Sequence, residues 1–80
     1  MKIAELRAKK KYIKWLIQET KEDRKAIENV YKAMECFKNF NPKSTEAYAV
    51  RKQIKAFNDT IEAYKVTISI INQQINSIIS

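Results

Sequence analysis

Residues 47–78 read AYAVRKQIKAFNDTIEAYKVTISIINQQINSI, and this stretch decides the fold class. Ala47, Val50, Ile54, Phe57, Ile61, Tyr64, Ile68, Ile71, Ile75 and Ile78 recur at alternating spacings of three and four. That is the 3.5-residue repeat of a helix with one continuous apolar seam. Every position of the template is apolar over more than four heptads. The spacing predicts a helix over about 44–79, roughly 50 Å long at 1.5 Å per residue. Asn41 with Pro42, or Ser44, supplies its N-cap, and Glu46 sits favourably in the first turn.

The segment before Pro42 is less regular. Leu6, Ile13, Leu16, Ile27, Val30, Met34 and Phe37 fit a similar repeat, but Thr20 and Asp23 occupy apolar positions between them. Thr20 followed by Asp23 resembles a capping box. One continuous helix with a polar middle and two helices breaking near Thr20 both fit. The capping pattern favours the break, giving helices of about 2–18, 21–39 and 44–79. A turn over 39–43 then folds the halves antiparallel, with residues whose numbers sum to about 83 opposite each other. The expected architecture is all-α: an antiparallel helical hairpin or three-helix arrangement with one long C-terminal helix, assembling into a helical-bundle oligomer.

Composition supports this reading. The chain has 80 residues, no Gly, no His, one Pro and one Cys. Without glycine, positive-φ turns are hard to supply, which suits long helices. One domain over 1–80 of this size buries little core per residue and lacks staples, because Cys36 alone makes no internal disulfide. Self-association is the remaining source of stability. The apolar start is interrupted by Lys9, Lys10 and Lys11, so no signal peptide is predicted, and Val66–Ile79 is too polar to span a bilayer. The expected location is cytoplasmic. Lysine outnumbers arginine and isoleucine outnumbers leucine, a bias that A+T-rich codons produce. It points to a low-GC bacterium, phage or mobile element.

Net charge is +7, unevenly spread. Residues 1–14 carry Lys2, Arg7, Lys9, Lys10, Lys11 and Lys14 against only Glu5, whereas residues 66–80 carry no charged side chain. Antiparallel folding sets these segments side by side. Tyr12 and Trp15 lie one helical turn apart among the lysines, with Trp15 off the seam. Lysine plus an exposed aromatic suits phosphate contact with base stacking. The candidate ligand-binding set is Arg7, Lys10, Lys11, Tyr12, Lys14 and Trp15. Trp15 packed on another helix of an oligomer is the plainer alternative, and interfaces are rich in Trp. The C-terminal segment carries apolar residues beyond its seam, more than one partner helix covers. The candidate oligomer interface is Val66, Ile68, Ile70, Ile71, Ile75, Ile78 and Ile79.

Catalytic equipment is missing. Without His, Ser–His and Cys–His nucleophiles are out of reach, and without Gly there is no phosphate-cradling loop. Glu19, Glu22 and Asp23 face Asp59 and Glu62 in the hairpin, but Lys21, Arg24, Lys25, Lys55 and Lys65 are interleaved with them. A mixed-charge waist is the reading, not a metal centre. Cys36, beside Glu35 with Lys32 and Lys38 nearby, reads as an incidental thiol. No cofactor and no metal are expected. The first seven residues, MKIAELR, resemble the start of the small helical-hairpin protein of the large ribosomal subunit. The isoleucine-rich C-terminal segment departs from that family, and no residue role carries over.

Two functions compete. One is a non-enzymatic, self-associating protein that sequesters an anionic ligand, a nucleotide signal or nucleic acid, at its basic aromatic end. The alternative is a small inhibitor or adaptor that blocks a host protein through a helical face, with Trp15, Tyr12 and Tyr31 as anchors. Peripheral membrane binding fits less well, since the lysines and the apolar stripe do not form one amphipathic helix.

Overall fold

The computed structural model describes residues 2–79, which form two α-helices and one turn. Helix α1 spans Lys2–Glu35 and α2 spans Thr45–Ile79. They pack as an antiparallel hairpin 60 Å long and 17 × 13 Å across. The seam on α2 is where the heptad pattern put it. Ala47, Ile61, Ile71 and Ile75 are buried, and Val50, Ile54, Phe57, Tyr64 and Ile68 are half-buried. Only Ile78, at the end, is exposed.

The break expected near Thr20 is absent: α1 runs unbroken through the polar middle and stops at Glu35, short of the expected 39. Its heptad positions are Ile3, Leu6, Lys10, Ile13, Ile17, Thr20, Arg24, Ile27, Tyr31 and Met34, each buried or half-buried. The Thr20 hydroxyl does not cap a new helix. It donates to the Leu16 carbonyl at 2.8 Å, a bond available only inside a continuous helix. At the next seam position Arg24 spans the interface, donating to Asn58 Oδ1 at 2.8 Å and pairing with Glu28 at 3.4 Å. A threonine and an arginine thus fill positions a core would give to leucine, and both satisfy their polar atoms. This seam uses Ile17 and Tyr31 in place of the expected Leu16 and Val30, and Val30 and Phe37 are exposed.

The turn closes without glycine and without any positive φ among the described residues. Helix α1 ends in tightened bonds, Cys36 N–H to Ala33 O and Phe37 N–H to Met34 O at 3.2 and 3.1 Å. Asn41 then accepts the Lys43 N–H on its side chain at 2.9 Å. Ser44 caps α2, its hydroxyl accepting the Ala47 N–H at 3.2 Å. Arg51 ties the turn back to both helices. Its Nη1 donates to Pro42 O at 2.6 Å and to Tyr31 Oη at 3.0 Å, and its guanidinium lies 6.0 Å from the Tyr31 ring centroid. Tyr31 in turn meets Phe40 edge-on at 5.7 Å. The register follows: Arg24–Asn58 and Tyr31–Arg51 are pairs whose numbers sum to 82.

The core is thin. Among the described residues Leu6, Ile71 and Ile75 form a cluster of buried residues, with Ile13 packed against it. The exposed surface is 6351 Å², whereas a compact 9.4 kDa monomer shows about 5,000 Å². The Cα radius of gyration is 18.0 Å, against about 12 Å for a globular chain of this length.

Candidate functional site

The two heptad seams define two flanks. Residues one position after each seam residue line one side of a helix, and residues one position before it line the other. Antiparallel packing brings like flanks of the two helices to the same side of the hairpin. Lys2 and Lys9 of α1 accordingly line a single cleft with Gln74 and Ser77 of α2.

The flank after the seam is charged. On α1 it carries Arg7, Lys11, Lys14, Lys21, Lys25 and Lys32, interrupted by Gln18, Glu28 and Glu35. On α2 it carries Arg51, Lys55 and Lys65, with Glu62 and the uncharged Asn58, Ser69, Asn72 and Asn76. Nine basic side chains stand against three acidic ones, so this broad face holds +6 of the +7 total. Lys65 pairs with Glu62 at 3.6 Å, and Lys55 with Asp59 at 3.4 Å; both pairs are exposed and hold their partners weakly. Among the described residues, Arg7, Lys11, Lys14, Lys21, Lys25 and Lys32 have no ion pair. This column runs along α1 for roughly 38 Å, one cation about every helical turn or two.

The flank before the seam is the reverse. On α2, Gln53, Ala56, Thr60, Ala63, Thr67, Ile70, Gln74 and Ser77 follow the same three-and-four spacing with no charge, and all are exposed. Thr60 and Thr67 turn their hydroxyls back onto their own helix, donating to Ala56 O and Ala63 O at 3.0 Å. On α1 the matching flank holds Tyr12, Leu16, Ala26, Val30 and Ala33, and its charges are Lys2 and Lys9 against Glu5, Glu19 and Asp23.

The predicted ligand set is divided among these surfaces. Arg7, Lys11 and Lys14 stand together on the charged face, whereas Lys10 is half-buried in the seam. Tyr12, one position before Ile13, is 59% exposed on the flank before the seam, and Trp15 is 55% exposed on the outer side of α1. Their rings stack at 5.9 Å with planes 22° apart, and Trp15 lies one turn beyond Lys11 along the helix surface. Sequence reasoning missed Lys21, Lys25 and Lys32, which extend the same column past the N-terminal charge run. Their steps of seven, four and seven residues from Lys14, which keep one heptad flank, were the signal.

The predicted oligomer interface does not form one patch. Ile71 and Ile75 belong to the intramolecular core under Leu6. Ile68 is half-buried in the seam, and Ile78 ends it. Ile70 stands on the uncharged flank, Val66 on the outer side of α2 and Ile79 on the charged side, all three exposed. Two partners of a helix with 3.6 residues per turn cannot share these residues: the hairpin has already taken those facing α1.

Among the described residues no three His, Cys, Asp or Glu side chains gather to hold a metal ion, and no helix is long and apolar enough to cross a membrane. Cys36 is exposed, its thiol donating to Lys32 O at 3.4 Å. A cleft of ≈ 510 Å³ lies at the turn between Met34, Phe37, Phe40, Ser44 and Glu46. The Lys2–Lys9 cleft is ≈ 380 Å³, with Leu6 and Ile78 in its lining. No family model, curated protein or solved structure matches the chain.

Proposed function

We propose that this protein is a non-enzymatic, self-associating binding module whose charged face holds an extended polyanion, a nucleic-acid backbone. The observation that carries this reading is the unpaired column from Arg7 to Lys32 on a face of nine cations and three acids. A column about 38 Å long suits a run of phosphates better than one compact nucleotide, and the ≈ 400 Å³ hollow that Lys21 and Lys25 line with Glu22 and Glu28 is open to solvent. Lysines dominate, which suits backbone contact and not the bidentate reading of base edges that arginine performs. Trp15, beside Lys11, offers a ring on which an unpaired base can stack.

Counterion release sets the test. Fluorescence anisotropy with a short single-stranded oligonucleotide should show binding that falls steeply with salt. Replacing Lys11, Lys14, Lys21 and Lys25 by Gln should weaken it by tenfold or more and flatten the salt dependence. Gln at Lys38 and Lys52, off this face, should change it little. Absence of binding to single strands and duplexes at low salt would overturn the reading. The stacked Tyr12–Trp15 pair favours one alternative, docking on a host protein through an aromatic anchor. In that case Trp15→Ala abolishes complex formation and the four glutamines do not.

A further inference from the structure

The hairpin is lopsided across its width, and the lopsidedness has a physical consequence. A chain of net charge +7 repels its own copy wherever the cations stand. The charged face excludes a second copy. The opposite broad face does not: its charges are two lysines and four acids, Glu46 included, and all the charged groups but Glu46 are on α1. The α2 half between Gln53 and Ser77 is uncharged, small-sided and exposed, with Ile70 half in solvent at 49%. Its two threonines have already satisfied their hydroxyls on backbone carbonyls, so methyl groups can be covered without stranding a donor. Alanine and threonine at heptad spacing let helices approach closely.

The surface area agrees. The chain exposes 6351 Å², about 1,300 Å² more than a compact monomer of its mass. A standard interface removes about 800 Å² from each partner. Covering one broad face of a hairpin 60 Å long supplies that area. It also changes two helices with five buried residues among those described into four helices around a common core.

The geometry points to a two-fold symmetric dimer in which two copies pack through this uncharged face, around Ala63, Thr67 and Ile70. The inference rests on the self-association proposed above and names its face, which is not the isoleucine-rich C-terminal end as a whole. Symmetry then turns the two charged faces outward, on opposite sides of a four-helix bundle.

The test uses the full chain without nucleic acid, so it does not depend on polyanion binding. Light scattering should give twice the single-chain mass at high micromolar concentration. Ala63→Lys and Ile70→Lys should each shift the dimer dissociation constant upward by tenfold or more. Ser69→Lys, on the other flank of the same helix stretch, should leave it within about twofold. Should a lysine variant lose helicity, labelling decides. In a Cys36→Ser background, Thr67→Cys should react with maleimide more slowly as protein concentration rises, and Ser69→Cys should not. A dimer that survives both lysines, or equal labelling at both sites, overturns this face and leaves self-association standing. A single-chain mass at every concentration overturns both.

Discussion

At Arg51 one guanidinium nitrogen serves both the Pro42 carbonyl and the Tyr31 hydroxyl, while the cation lies over the Tyr31 ring. These contacts connect the turn, α1 and α2 through one side chain. All are exposed, so water competes for them and their net worth is modest, about 1 kcal/mol together. Arg51→Ala should therefore lower the unfolding free energy by about that amount in a urea titration, and Arg51→Lys should recover less than half, because an ammonium lacks the planar fork. Equal stability of wild type and Arg51→Ala would show that the Ser44 cap and the packing of Ala47 hold the turn unaided. Ala47 is completely buried beside that cap, which explains why the smallest apolar side chain opens the seam.

Helix α1 illustrates how a heptad survives polar substitution. Its seam passes through Lys10, Thr20 and Arg24, and each has a way to tolerate partial burial. Threonine bonds back to Leu16, and Arg24 reaches Asn58 and Glu28. Lysine has a long apolar stem that can lie along the interface. A helix held this way is uninterrupted but under-packed at its middle. Thr20→Leu should add apolar burial at a seam position without altering the fold, raising stability by roughly 1 kcal/mol. A loss of helicity in that variant, read by circular dichroism, would show that the middle of α1 needs its threonine. Helix α2 shows the opposite economy: two adjacent heptad stripes, one apolar and one small and neutral, run along most of its length.

On the scale of the whole molecule, two helices alone leave five buried residues among those described and a radius of gyration far above that of a globule. A pairing that completes the core makes stability depend on protomer concentration. The thermal midpoint should rise measurably with each tenfold increase in protein; a midpoint independent of concentration counts against the dimer. Outward-facing cationic surfaces on opposite sides of that dimer also make it bivalent. Two oligonucleotides carrying donor and acceptor dyes should show energy transfer when mixed with the protein. Ile70→Lys should abolish the transfer while binding by anisotropy persists. Transfer that persists in this variant would mean that one chain holds both strands.

The sequence by itself determined the helical class, the long C-terminal helix, the corner around Pro42 and the antiparallel register. These follow from periodicity and from the absence of glycine, which are local properties of the chain. It also located the first part of the cationic column, Arg7, Lys11 and Lys14. Other matters were decided only by the tertiary structure. A threonine and an aspartate at capping spacing are compatible with either a cap or a helix interior, and the packing of α1 along all of α2 selected the interior. Ile71 and Ile75 stand on the heptad seam and Ile70 and Ile79 off it, but only the position of α1 shows that the seam residues are already covered within one chain. The division of charge between two broad faces has the same origin. A three-and-four repeat on one helix marks a flank, but whether two flanks add or cancel depends on the antiparallel pairing that puts them on the same side.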